Sequence, residues 1–305
     1  MSMEPYVIAI GSACVDEYYR VESWIPEGGK TTAQPLKCVV GGMIANAASV
    51  MSRCGLKTYL LDTMNHSGIT KLILEDMVRY GVDCSLIQYD ETLGDGKCLI
   101  FLTESEKSLF SVRLHKPELD LSPIWNMLCG ARYIYTKFDD FVRVKDYIDV
   151  MAELRCSGTG LVLDVEAYSG AECEYAMLTN AEIVFLNQFG EEACKKQLGE
   201  NFAEKLLEGN ARTVIVTEGS RGCRVCTKEG RAQVPAYSVP ITDTTGAGDT
   251  FNGACLSRLC AGQSEEEAAR FAAAAAALCV EHYGAKFEEL DTAMVESFML
   301  TAGGR

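Results

Sequence analysis

Between Ala131 and Thr217 short apolar runs alternate with helical stretches, and that rhythm leaves the chain few architectures. The runs cover residues 133–136, 161–165, 183–186 and 213–217; helical patterns lie near 144–156, 172–178 and 191–198. The runs are mainly apolar, and their alternation with helical stretches is a βαβ succession. Strands joined through helices belong to a parallel sheet covered on both sides. The expected fold class is therefore α/β, three layers with a mainly parallel central sheet, in one domain spanning residues 1–305.

The N-terminal part keeps the same theme with an interruption. Residues 7–10 form another apolar run, closed by Gly11-Ser12. From residue 15 to 40 the chain carries Pro26, Gly28, Gly29 and Pro35 between short β-prone pieces, an excursion rather than a crossover. A helix rich in Ala, Ser and Met ends at Gly55, a strand follows over 56–62, and a second helix over 69–80 stops at Gly81. Short strands over 82–88, 97–103 and 108–113 are grouped with the first excursion. Together they predict a small β-sheet lid, built from about residues 12–40 and 95–115 inserted into the core.

Charge and cysteine usage exclude several functions. With 28 Lys and Arg against 43 Asp and Glu the net charge is −15, which repels a phosphate backbone and argues against a nucleic-acid partner. The 14 Cys are scattered, and the run at 6–10 lacks a basic leader, so reduced thiols and a cytoplasmic location are expected. The one C-x-x-C, Cys223 to Cys226, falls in a strand-like stretch where residues three apart point to opposite faces, and no His completes a zinc set. The longest apolar run, residues 271–280, is mostly Ala and too short to cross a bilayer. It belongs to a helix from Ser264 whose small residues admit either a ligand base or a neighbouring helix.

The chemistry concentrates in Asp243-Thr244-Thr245-Gly246-Ala247-Gly248-Asp249-Thr250-Phe251, followed by a helical pattern over 252–258. Two Gly flanking one Ala let successive N–H groups point outward, and the helix behind adds its own unpaired donors and positive end. The Walker spacing is absent from the chain. An acid beside such an anion pocket suits phosphoryl transfer to a hydroxyl, which must lose a proton as the phosphoryl group arrives. Asp249 is placed for that role; the plainer alternative is a first-turn carboxylate that only stabilises its helix.

This string, extended to Asn252-Gly253-Ala254, resembles the C-terminal signature of the PfkB/ribokinase family of carbohydrate kinases. Gly41-Gly42 with Ala45-Asn46 is similar to the family's N-terminal signature, and the likeness runs over essentially the whole chain. The resemblance implies a ribokinase-like fold and ATP-dependent phosphorylation of a sugar-like hydroxyl. It implies Asp249 as catalytic base, the amides of Gly246, Ala247 and Gly248 as an anion hole, and Asp16, Gly41, Gly42 and Asn46 as substrate-binding residues. Nucleotide contacts are implied for Asn187, for Thr217, Gly219 and Gly222 in a T-x-G-x-x-G turn, and for Gly284. Cofactors would be ATP and Mg2+, with K+ near Asp243 as in some members, and a homodimer would form through the lid.

The departures carry information as well. The family's N-x-x-E motif reads Asn187-Gln188-Phe189-Gly190-Glu191 here, so the metal-linked Glu is displaced by one residue to Glu191. Met43 stands where ribokinase-like loops carry Lys, and Cys14 where Asn is expected. Both changes point to an acceptor with an apolar portion rather than to ribose itself. A nucleoside kinase of the same fold, and a catalytically weak nucleotide- or metabolite-binding relative, are the alternatives. Phosphosugars are disfavoured, although Lys30 and Arg113 offer cations from the lid.

Overall fold

The computed structural model describes residues 4–104 and 106–302. Its strands are β1 (Tyr6–Ile10), β2 (Cys14–Arg20), β3 (Gln34–Gly41), β4 (Lys57–Leu61), β5 (Thr63–Met64), β6 (Gln88–Tyr89), β7 (Lys97–Leu102), β8 (Lys107–Ser111), β9 (Tyr133–Thr136), β10 (Gly160–Val165), β11 (Ile183–Leu186), β12 (Thr213–Thr217), β13 (Cys223–Thr227) and β14 (Arg231–Val234). Its helices are α1 (Met43–Arg53), α2 (Gly68–Arg79), α3 (Trp125–Gly130), α4 (Phe138–Phe141), α5 (Tyr147–Cys156), α6 (Glu172–Asn180), α7 (Gln188–Leu198), α8 (Phe202–Glu208), α9 (Ala247–Cys260), α10 (Glu265–Val280) and α11 (Thr292–Ala302).

The main sheet has eight strands in the order β14-β13-β12-β11-β10-β9-β1-β4. Neighbours from β12 through to β4 pair in parallel, while β13 and β14 close one edge antiparallel. Side-chain alternation divides the apolar runs between two cores. Val7 and Ala9 pack with α1, α9 and α10, whereas Ile8 and Ile10 pack with α3 to α8. This explains why the strands read as mainly apolar runs, and it is the three-layer α/β/α arrangement expected. Cys223 and Cys226 fall into opposite cores, as their spacing requires.

A separate four-stranded sheet, β3-β2-β7-β8, pairs β2 with β7 in parallel and is otherwise antiparallel. One expected member is missing from it. Residues 82–88 stay with the main body: Asp83 bridges Tyr59, and β6 pairs with β5. The reason is apolar burial, since Val82 and Ile87 enter one core and Leu86 the other. The helix expected near 144–156 begins only at Tyr147, because Asp146 takes a left-handed φ of 52° and Val144 is buried and bridged to Leu119. The Ala-rich α10 packs against α9, so a helix fills the place its small residues left open. Its start is a capping box between Ser264 and Glu267. No helix among the described residues is long and apolar enough to cross a membrane.

Candidate active site

In an open parallel sheet the carboxyl ends of the strands share one edge, and loops leaving there converge on ligands. The segment after β1 runs through Gly11 into β2, which carries Asp16. β3 returns to the same edge and ends in Gly41, and the turn through Gly42 starts α1. Gly42 has φ of 104°, and a Cβ there would press on the Ser12 carbonyl at 2.6 Å. A Cβ on Gly41 would run into the Asp16 carboxyl carbon at 2.8 Å. Both glycines are therefore demanded by close approach, and both lie against the segment that holds Asp16.

Helix α9 comes to this edge from the other end of the chain. Gly246 is its N-cap, with φ of 76°, and lies so near the backbone of Ala285 that a Cβ would stand 2.5 Å from the Ala285 Cα. Helix α9 starts at Ala247, five residues earlier than the pattern over 252–258 suggested, so Asp249 is in its first turn. The Ala247 N–H turns back to the Thr244 carbonyl at 3.3 Å. Asp243 organises the loop before it. Its Oδ1 accepts from the Thr245 N–H (2.9 Å) and hydroxyl (2.7 Å), and its Oδ2 accepts from the Gly284 N–H (3.1 Å). Burial works against the ionised form of Asp243, but these donors hold its carboxyl below the usual range. Lys107 of β8 reaches the Thr245 hydroxyl at 3.2 Å, so the four-stranded sheet touches this loop.

Helices α1 and α9 pack side by side, and the Asn46 side-chain amide donates to Asp249 Oδ2 at 2.8 Å. Asp249 is crowded by protein atoms, and this desolvation pushes its carboxyl up to about 8. The Asn46 donor works in the opposite direction, while the charges of Asp164, Glu166 and Asp16 add to the rise. A carboxyl tuned near neutrality can take a proton without holding it too tightly. Asp16 is also raised by burial, offset by its Cys14 thiol contact (3.6 Å) and by the Lys286 charge.

The nucleotide-side candidates gather farther along the same edge. Asn187 caps α7, accepting from the Gly190 N–H at 2.9 Å, and its amide lies 3.4 Å from Glu166 Oε1. Thr217 ends β12 and donates to the Leu186 carbonyl. Gly219 and Gly222 shape the turn into β13 with φ of 58° and 91°. Gly284 has φ of 103° and meets Asp243, as described. Glu191 stands apart from its expected metal role: its carboxylate is ion-paired to Arg224 and to Lys195 (3.0 Å). Burial opposes its ionisation, yet these two cations hold its carboxyl below the usual range. No group of three or more His, Cys, Asp or Glu that could hold a metal occurs among the described residues.

Sequence reasoning passed over Asp164, Tyr135, Glu166 and Lys107. Asp164 had a usable signal, a carboxylate inside the otherwise apolar stretch Leu161-Val162-Leu163-Asp164-Val165. Lys107 had none, because its role depends on where the second sheet sits.

Known proteins resemble this chain in sequence and fold. The profile of the pfkB family carbohydrate kinases matches residues 4–293. The chain is 25% identical over 292 residues to a ribokinase of Staphylococcus aureus (strain COL), covering 92% of this chain and 95% of that one. It is 39% identical over 115 residues to a probable chloroplastic fructokinase of Arabidopsis thaliana, 35% of this chain and 29% of that one. The solved structure of an Arabidopsis thaliana ribokinase complexed with ribose and ATP superposes with a TM-score of 0.85 at 25% identity, covering 97% of this chain and 99% of that one. The fold and these relatives define a sugar kinase of the ribokinase family. The chain belongs to the pfkB family of carbohydrate kinases, and its activity is that of an ATP-dependent carbohydrate kinase.

Proposed function

We propose that the protein transfers the terminal phosphoryl group of ATP to a hydroxyl of a small, unphosphorylated sugar or sugar-like acceptor, with Asp249 as general base. The observation that supports this reading is the Asn46–Asp249 hydrogen bond, which joins the proposed base in the first turn of α9 to the helix behind the Gly41-Gly42 turn. The acceptor hydroxyl gives its proton to Asp249 as its oxygen bonds to phosphorus and the bond to the ADP oxygen breaks. Of the three expected anion-hole amides, that of Ala247 is engaged by the Thr244 carbonyl; those of Gly246 and Gly248, without a partner among the described residues, and the helix end favour the charge on the transferring group, an effect worth about 3 kcal/mol per donor in comparable anion holes. Asp16 accepts hydrogen bonds from other acceptor hydroxyls. Gly41, Gly42 and Asn46 shape that subsite, with Asn46 Oδ1 buried and without a partner among the described residues.

Asn187, Thr217, Gly219, Gly222 and Gly284 border the nucleotide. Mg2+ brings electrostatic relief of phosphate charge and needs few protein ligands, since it keeps water and phosphate oxygens. With Glu191 engaged by Arg224 and Lys195, the nucleotide is its main holder. A K+ requirement near Asp243 is part of the same reading, although the three donors on that carboxylate suit a loop-shaping role equally. The four-stranded sheet acts as the lid and excludes water, and the Lys107–Thr245 contact supports that placement. Exposed Leu36, Leu109 and Phe110 on this sheet support a homodimer through it, in a cytoplasmic enzyme.

The test is ATP consumption screened over sugars, sugar acids and nucleosides, with Asp249→Asn as the blank. A sugar turned over by the wild type and not by the variant is the expected result. Equal rates in both proteins with every acceptor would refute the assignment.

A further inference from the structure

Beneath the first turns of α9 lies a carboxylate that the reaction as described does not use. Asp164 is the fifth residue of β10, 6% exposed, on the sheet face that α9 covers. Its Oδ2 accepts from the Tyr135 hydroxyl at 2.6 Å and from the Asn252 side-chain amide at 2.9 Å. Tyr135 comes from the neighbouring strand β9 and is fully buried. Asn252 is on α9, three residues after Asp249, so the two side chains are neighbours on one helix face. Asn252 is 5% exposed, and its Oδ1 has no partner among the described residues.

This arrangement is expensive if it serves packing alone. A buried carboxylate is costly, and no cation is in hydrogen-bond contact with Asp164 among the described residues; its donors are a phenol and an amide. Lys137 acts on it only from a distance. A neutral side chain of the same shape would tie Asn252 to the sheet at less cost. What a carboxylate adds is charge, placed under the helix turn that carries Asp249.

We propose that Asp164 is a positioning residue for phosphotransfer: with Tyr135 and Asn252 it anchors the first turns of α9, and its negative charge strengthens Asp249 as a proton acceptor. This rests on the reading of Asp249 as the base. As a proton moves from the acceptor hydroxyl to Asp249, the negative charge there disappears, and a second carboxylate nearby favours that change. Other groups face Asp249 too. Glu166 at the end of β10 and Asp16 on β2 act in the same direction, and the Asn46 amide on α1 opposes them. Tyr135 on β9 feels the Asp249 charge, and Lys137 partly screens Asp164. Of the three carboxylates in this set, Asp164 is the one hydrogen-bonded to Asp249's own helix among the described residues.

The test reads the Asp249 carboxyl directly, without an acceptor. Full-length protein labelled with 13C at aspartate carboxyls is titrated by NMR, and the Asp249 signal is assigned by its loss in Asp249→Asn. In the wild type the expected midpoint is about 8. In Asp164→Asn it falls by roughly one pH unit, the size of a single nearby charge. A merely structural Asp164 leaves the midpoint in place, and an unmoved midpoint overturns this inference alone. If Asp164→Asn does not fold, Asp164→Ser replaces it. It removes the same charge, so the Asp249 midpoint again falls, and an unchanged value overturns the proposal. Phosphotransfer retained in Asp249→Asn overturns the base assignment and this inference together.

Discussion

Asn46 and Asp249, 203 positions apart in the chain, are joined by a 2.8 Å hydrogen bond from the amide of the first to the carboxylate of the second. One residue is in the first turn of the helix behind the Gly41-Gly42 turn; the other is in the first turn behind the Gly246 cap. Their bond converts two separate sequence signatures into one site, and most of what can be tested follows from it.

Asp249→Asn keeps the shape of the side chain and removes the proton acceptor. Turnover is expected to fall by at least about 10³-fold, while ATP binding measured calorimetrically stays within about twofold of wild type. Loss of ATP binding in proportion to turnover would contradict a role in proton transfer.

Asn46→Ala removes the one donor that favours the ionised form of Asp249. The acid limb of kcat/KM against pH, expected near pH 8 in the wild type, should therefore move to higher pH. This shift is opposite in sign to the one expected of Asp164→Asn. A limb that moves down, or stays, would show that the hydrogen bond does not set the basicity of Asp249.

Asp16→Ala should act on the acceptor rather than on ATP. Its carboxylate faces the Gly41 turn, and two hydroxyl hydrogen bonds lost to a charged partner amount to about 3 kcal/mol or more. The acceptor KM is expected to rise by about 100-fold or more with the KM for ATP unchanged. An unaltered acceptor KM removes Asp16 from the subsite.

Gly246→Ala tests the backbone of the anion pocket. The left-handed φ of 76° and the nearness of the Ala285 Cα (2.5 Å from a Cβ) both oppose a side chain there. Strain of this kind costs about 1–3 kcal/mol, visible as a lower urea midpoint, and kcat should fall further than stability alone explains. Wild-type stability would mean that the loop relaxes freely.

The pH dependence of stability has a definite sign. The Asp249 carboxyl is raised from 3.8 to about 8, so between these values the folded chain holds a proton that the unfolded chain has released. Stability from this group is present at low pH and is lost as pH rises through about 8. Asp249→Asn does not titrate, so its thermal midpoint relative to wild type should climb from pH 5 to pH 9. A difference that is flat across that range would contradict the raised carboxyl.

Much of this was readable before any coordinates. The mainly apolar runs at β1, β10, β11 and β12 announce buried strands, because periodicity is a local property that burial imposes on each segment. Gly246, Gly248 and Asp249 are likewise local, since a glycine-flanked turn ahead of a helix is written in consecutive residues. Residues 82–88 were misplaced because three apolar side chains suit either sheet equally. Only the positions of both cores decide between them.

What the chain alone determined was a parallel α/β layer and a phosphotransfer signature, both consequences of short-range pattern. Tertiary structure decided which distant groups share one electrostatic environment. It bonded Asn46 to Asp249 and Asp164 to Asn252 one turn further along α9, turned Glu191 toward Arg224, and brought Lys107 to Thr245. Such relations depend on distances of a few ångströms between segments far apart in sequence, and no local pattern encodes them.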